Sequence, residues 1–148
     1  MVFRLSGTIP ASNFVKIKAA HSQNNSLGLT GRYLYIVLCA EKTAKNAIHL
    51  DFVMQDGNKG RLLLTNMVDK LTKGGPSKGP AKFPWRHTGV WEIKCYDLEY
   101  LLEITDLMAK THLKRKNRFE LESIMLCSDM EVKGIYTSDN LYGHGVIF

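Results

Sequence analysis

Along this chain, short apolar runs and runs in which apolar and polar residues alternate recur between clusters of Gly, Pro, Asn and Asp. Eight segments read as strands, 3–7, 14–18, 32–39, 47–54, 59–66, 90–95, 119–127 and 132–137, and several of them alternate at a period of two, which places one set of side chains on each face. In 90–95, Trp91, Ile93 and Cys95 face one way and Glu92, Lys94 and Tyr96 the other, which predicts a strand with one buried face. In 32–39, Tyr33, Tyr35 and Val37 alternate with Leu34, Ile36 and Leu38, so both faces are largely apolar, as in an inner strand. Gly28 and Gly31 just before it are expected to supply turn angles.

The Asp56-Gly57 step inside 55–60 predicts a tight hairpin turn. After Cys95 the period changes. Leu98, Leu101, Leu102, Ile104, Leu107 and Met108 recur every three to four residues behind Asp97, a natural cap, and predict one short helix around 97–109. About eight strands and one helix predict an all-β fold, a β-sandwich or jelly roll forming a single domain over 1–148. Residues 67–84, punctuated by Gly74-Gly75-Pro76 and Gly79-Pro80, are expected to be a mobile basic loop within it.

Charge sharpens the picture. Twenty Lys and Arg against fourteen Asp and Glu give +6 and a pI near 9.3. The excess is local: between 59 and 86, Lys59, Arg61, Lys70, Lys73, Lys78, Lys82 and Arg86 face Asp69 alone, and 110–118 add Lys110, Lys114, Arg115, Lys116 and Arg118. The rest of the chain is net acidic, so the molecule is polarised, as suits an acidic target approached by electrostatic steering. Lys70, Lys73, Lys78, Lys82, Arg86, Lys110, Lys114, Arg115, Lys116 and Arg118 are therefore the candidate binding patch. Charge alone leaves equally open that both stretches are solvated loops that keep the domain in solution.

No catalytic residue, cofactor or metal site is expected. The five histidines, His21, His49, His87, His112 and His144, have no mutual spacing that a metal site would use, and no paired cysteines accompany them. His49 and Asp51 share a strand face and are expected to form a structural hydrogen-bonded pair rather than an acid and base. Ser138-Asp139 reads as the start of a turn, and no glycine run has the form of a phosphate loop. Trp85, Trp91, Tyr33 and Tyr35 are expected to fill core rather than build a platform for sugars or bases. Cys39, Cys95 and Cys127 are expected to be reduced and buried. No apolar run reaches the roughly 18–20 residues of a membrane span, and no signal-peptide pattern opens the chain, so a cytosolic location is expected.

Two stretches carry a resemblance. Ser26-Leu27-Gly28-Leu29-Thr30-Gly31-Arg32-Tyr33-Leu34-Tyr35 with Ile48-His49-Leu50-Asp51, and the ending Ile135-Tyr136-Thr137-Ser138-Asp139-Asn140-Leu141-Tyr142, resemble the domain family of cilia- and flagella-associated protein twenty. The opening Phe3-Arg4-Leu5-Ser6-Gly7 with Ala11-Ser12-Asn13-Phe14-Val15 extends the resemblance over nearly the whole chain. It implies a non-enzymatic β-jelly-roll that binds microtubules at the inner junction between A- and B-tubules or at the inner scaffold of a centriole. The implied partners are tubulin and other junction or scaffold proteins, with no membrane and no nucleic acid. The implied location is the cytoskeleton, in a centriole, basal body or axoneme. It also implies that the chain is the N-terminal domain of a longer WD-repeat protein. The alternative functions are a carbohydrate-binding jelly roll and a basic nucleic-acid-binding domain.

Overall fold

The computed structural model describes residues 1–7, 13–19, 26–74, 79–108 and 118–142. They form β1 (Phe3–Leu5), β2 (Phe14–Ile17), β3 (Tyr33–Cys39), β4 (Asn46–Met54), β5 (Lys59–Thr65), β6 (Ala81–Pro84), β7 (Glu92–Asp97), α1 (Leu98–Ile104), β8 (Phe119–Ser128) and β9 (Met130–Ser138). Two sheets face each other: a four-stranded sheet in the order β1-β9-β3-β7 and a five-stranded sheet in the order β2-β8-β4-β5-β6. This is the sandwich that the alternation predicts.

The core lies between the inner faces. Leu34, Ile36 and Leu38 of β3 meet Ile48, Leu50 and Phe52 of β4, and all six are completely buried. Removing such a side chain from water contributes roughly 1.5–3 kcal/mol, so this double row is the main stabilising unit. The Phe52 and Phe119 rings meet edge to face at 5.7 Å. At the β4–β5 turn, Gly57 takes a φ of 86° and the Asp56 carboxylate accepts the Asn58 N–H at 3.0 Å, as the Asp-Gly step predicts.

The Asp97 carboxylate caps α1 by accepting the Tyr100 N–H at 3.1 Å, and the same group holds Arg32 through two bonds of 3.0 and 2.7 Å. One acid thus fixes the helix to the entry of β3. Leu98, Leu101 and Leu102 close one end of the core. The helix stops before 109: Thr105 Oγ1 donates back to the Leu101 carbonyl at 2.7 Å and Asp106 takes a φ of 60°. Leu107 and Met108 still pack on the core, so the apolar spacing that extends the predicted helix is met by an irregular segment.

Three expectations change. Within 67–84, residues 81–84 are not loop but strand β6, paired in parallel with β5 from Leu62↔Ala81 to Thr65↔Pro84. Four residues ending in Pro carry too little alternation to announce a strand, and the parallel partner is remote. In β7 the buried face is the polar one: Lys94 and Tyr96 point into the sandwich, whereas Ile93 is 62% exposed and Trp91 stands out just before the strand. Lys94 is tolerated there because its ammonium donates to the Arg86 carbonyl and lies 3.7 Å from Glu92. Burial, opposed by Glu92, lowers its pKa. The three cysteines are free, but only Cys95 is fully buried.

Candidate functional site

The predicted basic residues fall into three groups. Thr72 and Lys82 exchange two backbone hydrogen bonds of 2.9 Å each, which lays the segment bearing Lys70 and Lys73 along β6, the outermost strand of the five-stranded sheet. Arg86 follows just past the end of β6 and is exposed. Lys70, Lys73, Lys82 and Arg86 thus share one margin of the molecule. Lys73 pairs with Asp106 at 2.9 Å in the open, a contact worth little in water. Among the described residues no ion pair joins Lys70, Lys82 or Arg86 to an acid.

Arg118 belongs elsewhere. It is 9% exposed, and its guanidinium lies 2.7 Å from Glu103 and 3.7 Å from Glu99, so it ties the entry of β8 to α1 instead of meeting solvent. A charge count cannot distinguish such an internal cation from a surface one. Lys78, Lys110, Lys114, Arg115 and Lys116 lie outside the described residues.

On the outer face of the five-stranded sheet, charge is balanced locally. Asp51 accepts Arg61 Nε at 2.6 Å and Nη2 at 3.1 Å, and also the Ser123 hydroxyl at 2.9 Å; Lys59 pairs with Glu122 at 3.2 Å. Burial alone would raise the Asp51 pKa, but the hydrogen bonds from Arg61 and Ser123 together hold it below the ordinary value. This arrangement also corrects the expected His49–Asp51 pair: Asp51 is taken by Arg61 and Ser123, and His49 Nδ1 is buried with no hydrogen-bond partner. Burial first, then Arg61, lowers the His49 pKa and keeps the ring neutral.

On the outer face of the four-stranded sheet the ion pairs, Arg4–Glu131 and Arg32–Asp97, stand at the two ends of the strands, and the centre between them is uncharged. Its central cross-strand rows are Gly134–Val37–Ile93 and Tyr136–Tyr35–Cys95. Tyr35 and Tyr136 stack at 4.9 Å with an 8° interplanar angle, and Tyr142 tilts against Tyr35 at 6.3 Å. The Tyr35 hydroxyl donates to the Asn140 carbonyl at 3.2 Å and accepts the Tyr142 N–H at 2.7 Å. The two sequence stretches 26–35 and 135–142 therefore form one structural unit. Gly31 shows how tightly: a Cβ there would lie 2.7 Å from the Ser138 nitrogen and 2.9 Å from Thr137. Its φ is not positive, so close approach, and not the turn angle expected of it, requires glycine; Gly28, with a φ of 64°, does supply a turn angle.

The four rings weighed as a platform are split. Trp85 is buried, with its Nε1 donating to Asn46 Oδ1 at 3.0 Å, and Tyr35 is sealed under its neighbours, while Trp91 is exposed. Asn46 Oδ1 also lies 2.9 Å from His87 Nε2. Since that oxygen only accepts, His87 carries its proton on Nε2, and Nδ1 is buried with no hydrogen-bond partner. Burial and the nearby Lys94 push the His87 pKa down to about 4. Among the described residues no group of three His, Cys, Asp or Glu side chains is arranged to hold a metal ion, and no helix is long and apolar enough to cross a membrane.

Comparison with known proteins adds to this geometry. Residues 1–147 match the CFA20 domain, and the chain belongs to that family. It is 32% identical over 150 residues to WD repeat-containing protein 90 of Mus musculus, covering 93% of this chain and 8% of the mouse protein. It is 28% identical over 173 residues to the Xenopus tropicalis protein of the same name, covering 99% and 9%. It is also 30% identical over 139 residues to Centriole proteome protein 16 of Chlamydomonas reinhardtii, covering 93% and 6%. The chain therefore spans less than a tenth of each of these relatives.

Proposed function

We propose that this CFA20 domain is a non-enzymatic, microtubule-binding structural module of the centriole or cilium, acting at the inner junction of the tubules or at the inner scaffold. The observation that carries the reading is the β6 margin, where Lys70, Lys82 and Arg86 stand without an acidic partner among the described residues while Lys59 and Arg61 on the adjoining face are neutralised. The tubulin surface and its tails are acidic, and uncompensated cations on one margin steer such a surface into one orientation. The alga's relative, with the centriole in its name, supports the location. The basic segment 110–116 is a second candidate for contact with the same acidic partner, and tubulin with other junction or scaffold proteins is the partner set.

The test is co-pelleting with taxane-stabilised microtubules across a salt series, before and after proteolytic removal of the tubulin tails. Binding is expected to fall steeply with salt, and reversal of Lys70, Lys82 and Arg86 to Glu is expected to abolish it. Reversal of Lys114, Arg115 and Lys116 measures the second segment separately. Loss of binding on tail removal assigns the contact to the tails, and retention assigns it to the tubulin body. Absence of pelleting at low salt rejects the reading.

A further inference from the structure

The two sheets do not close along one side. β1 covers only Met130, Glu131 and Val132 of β9, and among the described residues nothing pairs with the outer edge of β9 from 133 to 138. Opposite that edge, β2 pairs with Ile124–Cys127 of β8, and residues 27–29 continue alongside β8 through Leu29↔Leu121. Between them opens an apolar cleft of about 280 Å3. Among the described residues nine apolar side chains line it, including Val15, Ile17, Ile124 and Ile135, together with Gly134 and one ionisable residue, Lys133, and none of them is acidic.

Three features identify an occupant. Phe3 and Val15, which line the cleft, are exposed, and solvated apolar side chains on a folded domain mark a contact surface. Ile135 is only partly buried although its neighbours Ile124 and Leu126 are sealed, so the core lacks one wall here. Finally, β9 and β3 lose register between Val37 and Leu38, leaving Lys133 as the extra residue of a bulge at the mouth. At about 280 Å3 the cleft lies at the lower end of the roughly 300–1,000 Å3 range of small-molecule pockets, which is room for a few side chains. An uncovered strand edge supplies main-chain donors and acceptors beside it.

We propose that the uncovered edge of β9 receives an extended segment of a partner protein, which adds as a strand at 133–138 and inserts alternate apolar side chains into the cleft. The cation Lys133, with no acid among the described lining residues, selects a segment flanked by Asp or Glu. This surface is distinct from the β6 margin, which lies at the far edge of the other sheet.

The probes are two fluorescein-labelled seven-residue peptides with Val, Ile and Leu at alternating positions, one ending in Glu on both sides and the other in Lys. Binding is read by anisotropy and by hydrogen exchange. The Glu-flanked peptide is expected to bind about fivefold more tightly, the scale of one solvent-exposed charge contact, and to slow exchange at alternate amides within 133–138. Lys133→Glu is expected to invert the preference. Val15→Asp, a change at a half-exposed position that leaves the melting temperature nearly unchanged, is expected to abolish binding of both peptides. Equal affinity for the two peptides, protection elsewhere than β9, or no binding by the wild-type domain would each overturn the proposal.

Discussion

The two outer faces of the sandwich solve the problem of meeting solvent in opposite ways. On the five-stranded sheet each described charge near the centre has a partner, with Asp51 held by Arg61 and Ser123 and Lys59 by Glu122. On the four-stranded sheet the centre is uncharged and aromatic, with Tyr35 sealed beneath Tyr136 and Tyr142, and Ile93 and Trp91 left in the open. A balanced polar face is complete by itself and contributes little to long-range attraction, because its fields cancel within a few ångströms. An aromatic face gains stability only where its rings cover one another. The function proposed for the domain therefore falls to the margins: Lys70, Lys82 and Arg86 beside β6, which no acid among the described residues pairs, and the edge of β9 that no described strand covers.

The largest break in this contrast is expected from Tyr35→Ala. It removes the ring on which Tyr136 and Tyr142 rest and leaves the Asn140 carbonyl and Tyr142 N–H without their partner, so the melting temperature should drop by on the order of 10 °C. Tyr35→Phe, which keeps the stack, should drop it much less; equal losses would show that the stacking is not what holds this face.

Acid probes the buried polar groups next. The folded His87 pKa, about 4, lies below the ordinary 6.5, so the unfolded chain takes up a proton first. Stability present above pH 6.5 is then lost progressively as pH falls from 6.5 towards about 4, and levels off below that. Denaturant melts across this window should show the slope in the wild type and a flatter line in His87→Gln.

Asp51→Ala should cost about 1–2 kcal/mol, since it leaves Arg61 and Ser123 unpartnered on a half-buried surface. The depressed Asp51 pKa gives the sign at low pH: its contribution is present above the ordinary 3.8 and disappears as pH falls through the lower folded value. The smallest effects belong to exposed groups. Ile93→Thr and the triple reversal of Lys70, Lys82 and Arg86 should each leave unfolding free energy within about 0.5 kcal/mol of wild type. They should differ in behaviour: the reversal should remove microtubule pelleting, whereas Ile93→Thr should leave it unchanged.

Much of this architecture is legible along the chain. Apolar runs and period-two alternation between turn residues mark all strands except β6, the Asp56-Gly57 step marks its hairpin, and Asp97 ahead of Leu98, Leu101 and Leu102 marks α1, because each of these signals is local. The cations at Lys70, Lys73, Lys82 and Arg86 are legible as a cluster for the same reason. What sequence could not determine was which of them meets solvent. Arg118 and Lys94 are cations whose partners Glu103, Glu99 and the Arg86 carbonyl come from other elements, so their burial depends on how helix and strands pack. The same holds for Asp51, taken from His49 by residues on two neighbouring strands, and for β7, whose inward face was chosen by the position of Trp85 and Phe83 rather than by its own polarity. By itself the sequence determined the strands, the helix cap and the charge asymmetry, all set by neighbours within a few residues. Only the tertiary structure decided which charges cancel, which rings stack and which edges stay open, because those depend on contacts between residues far apart in the chain.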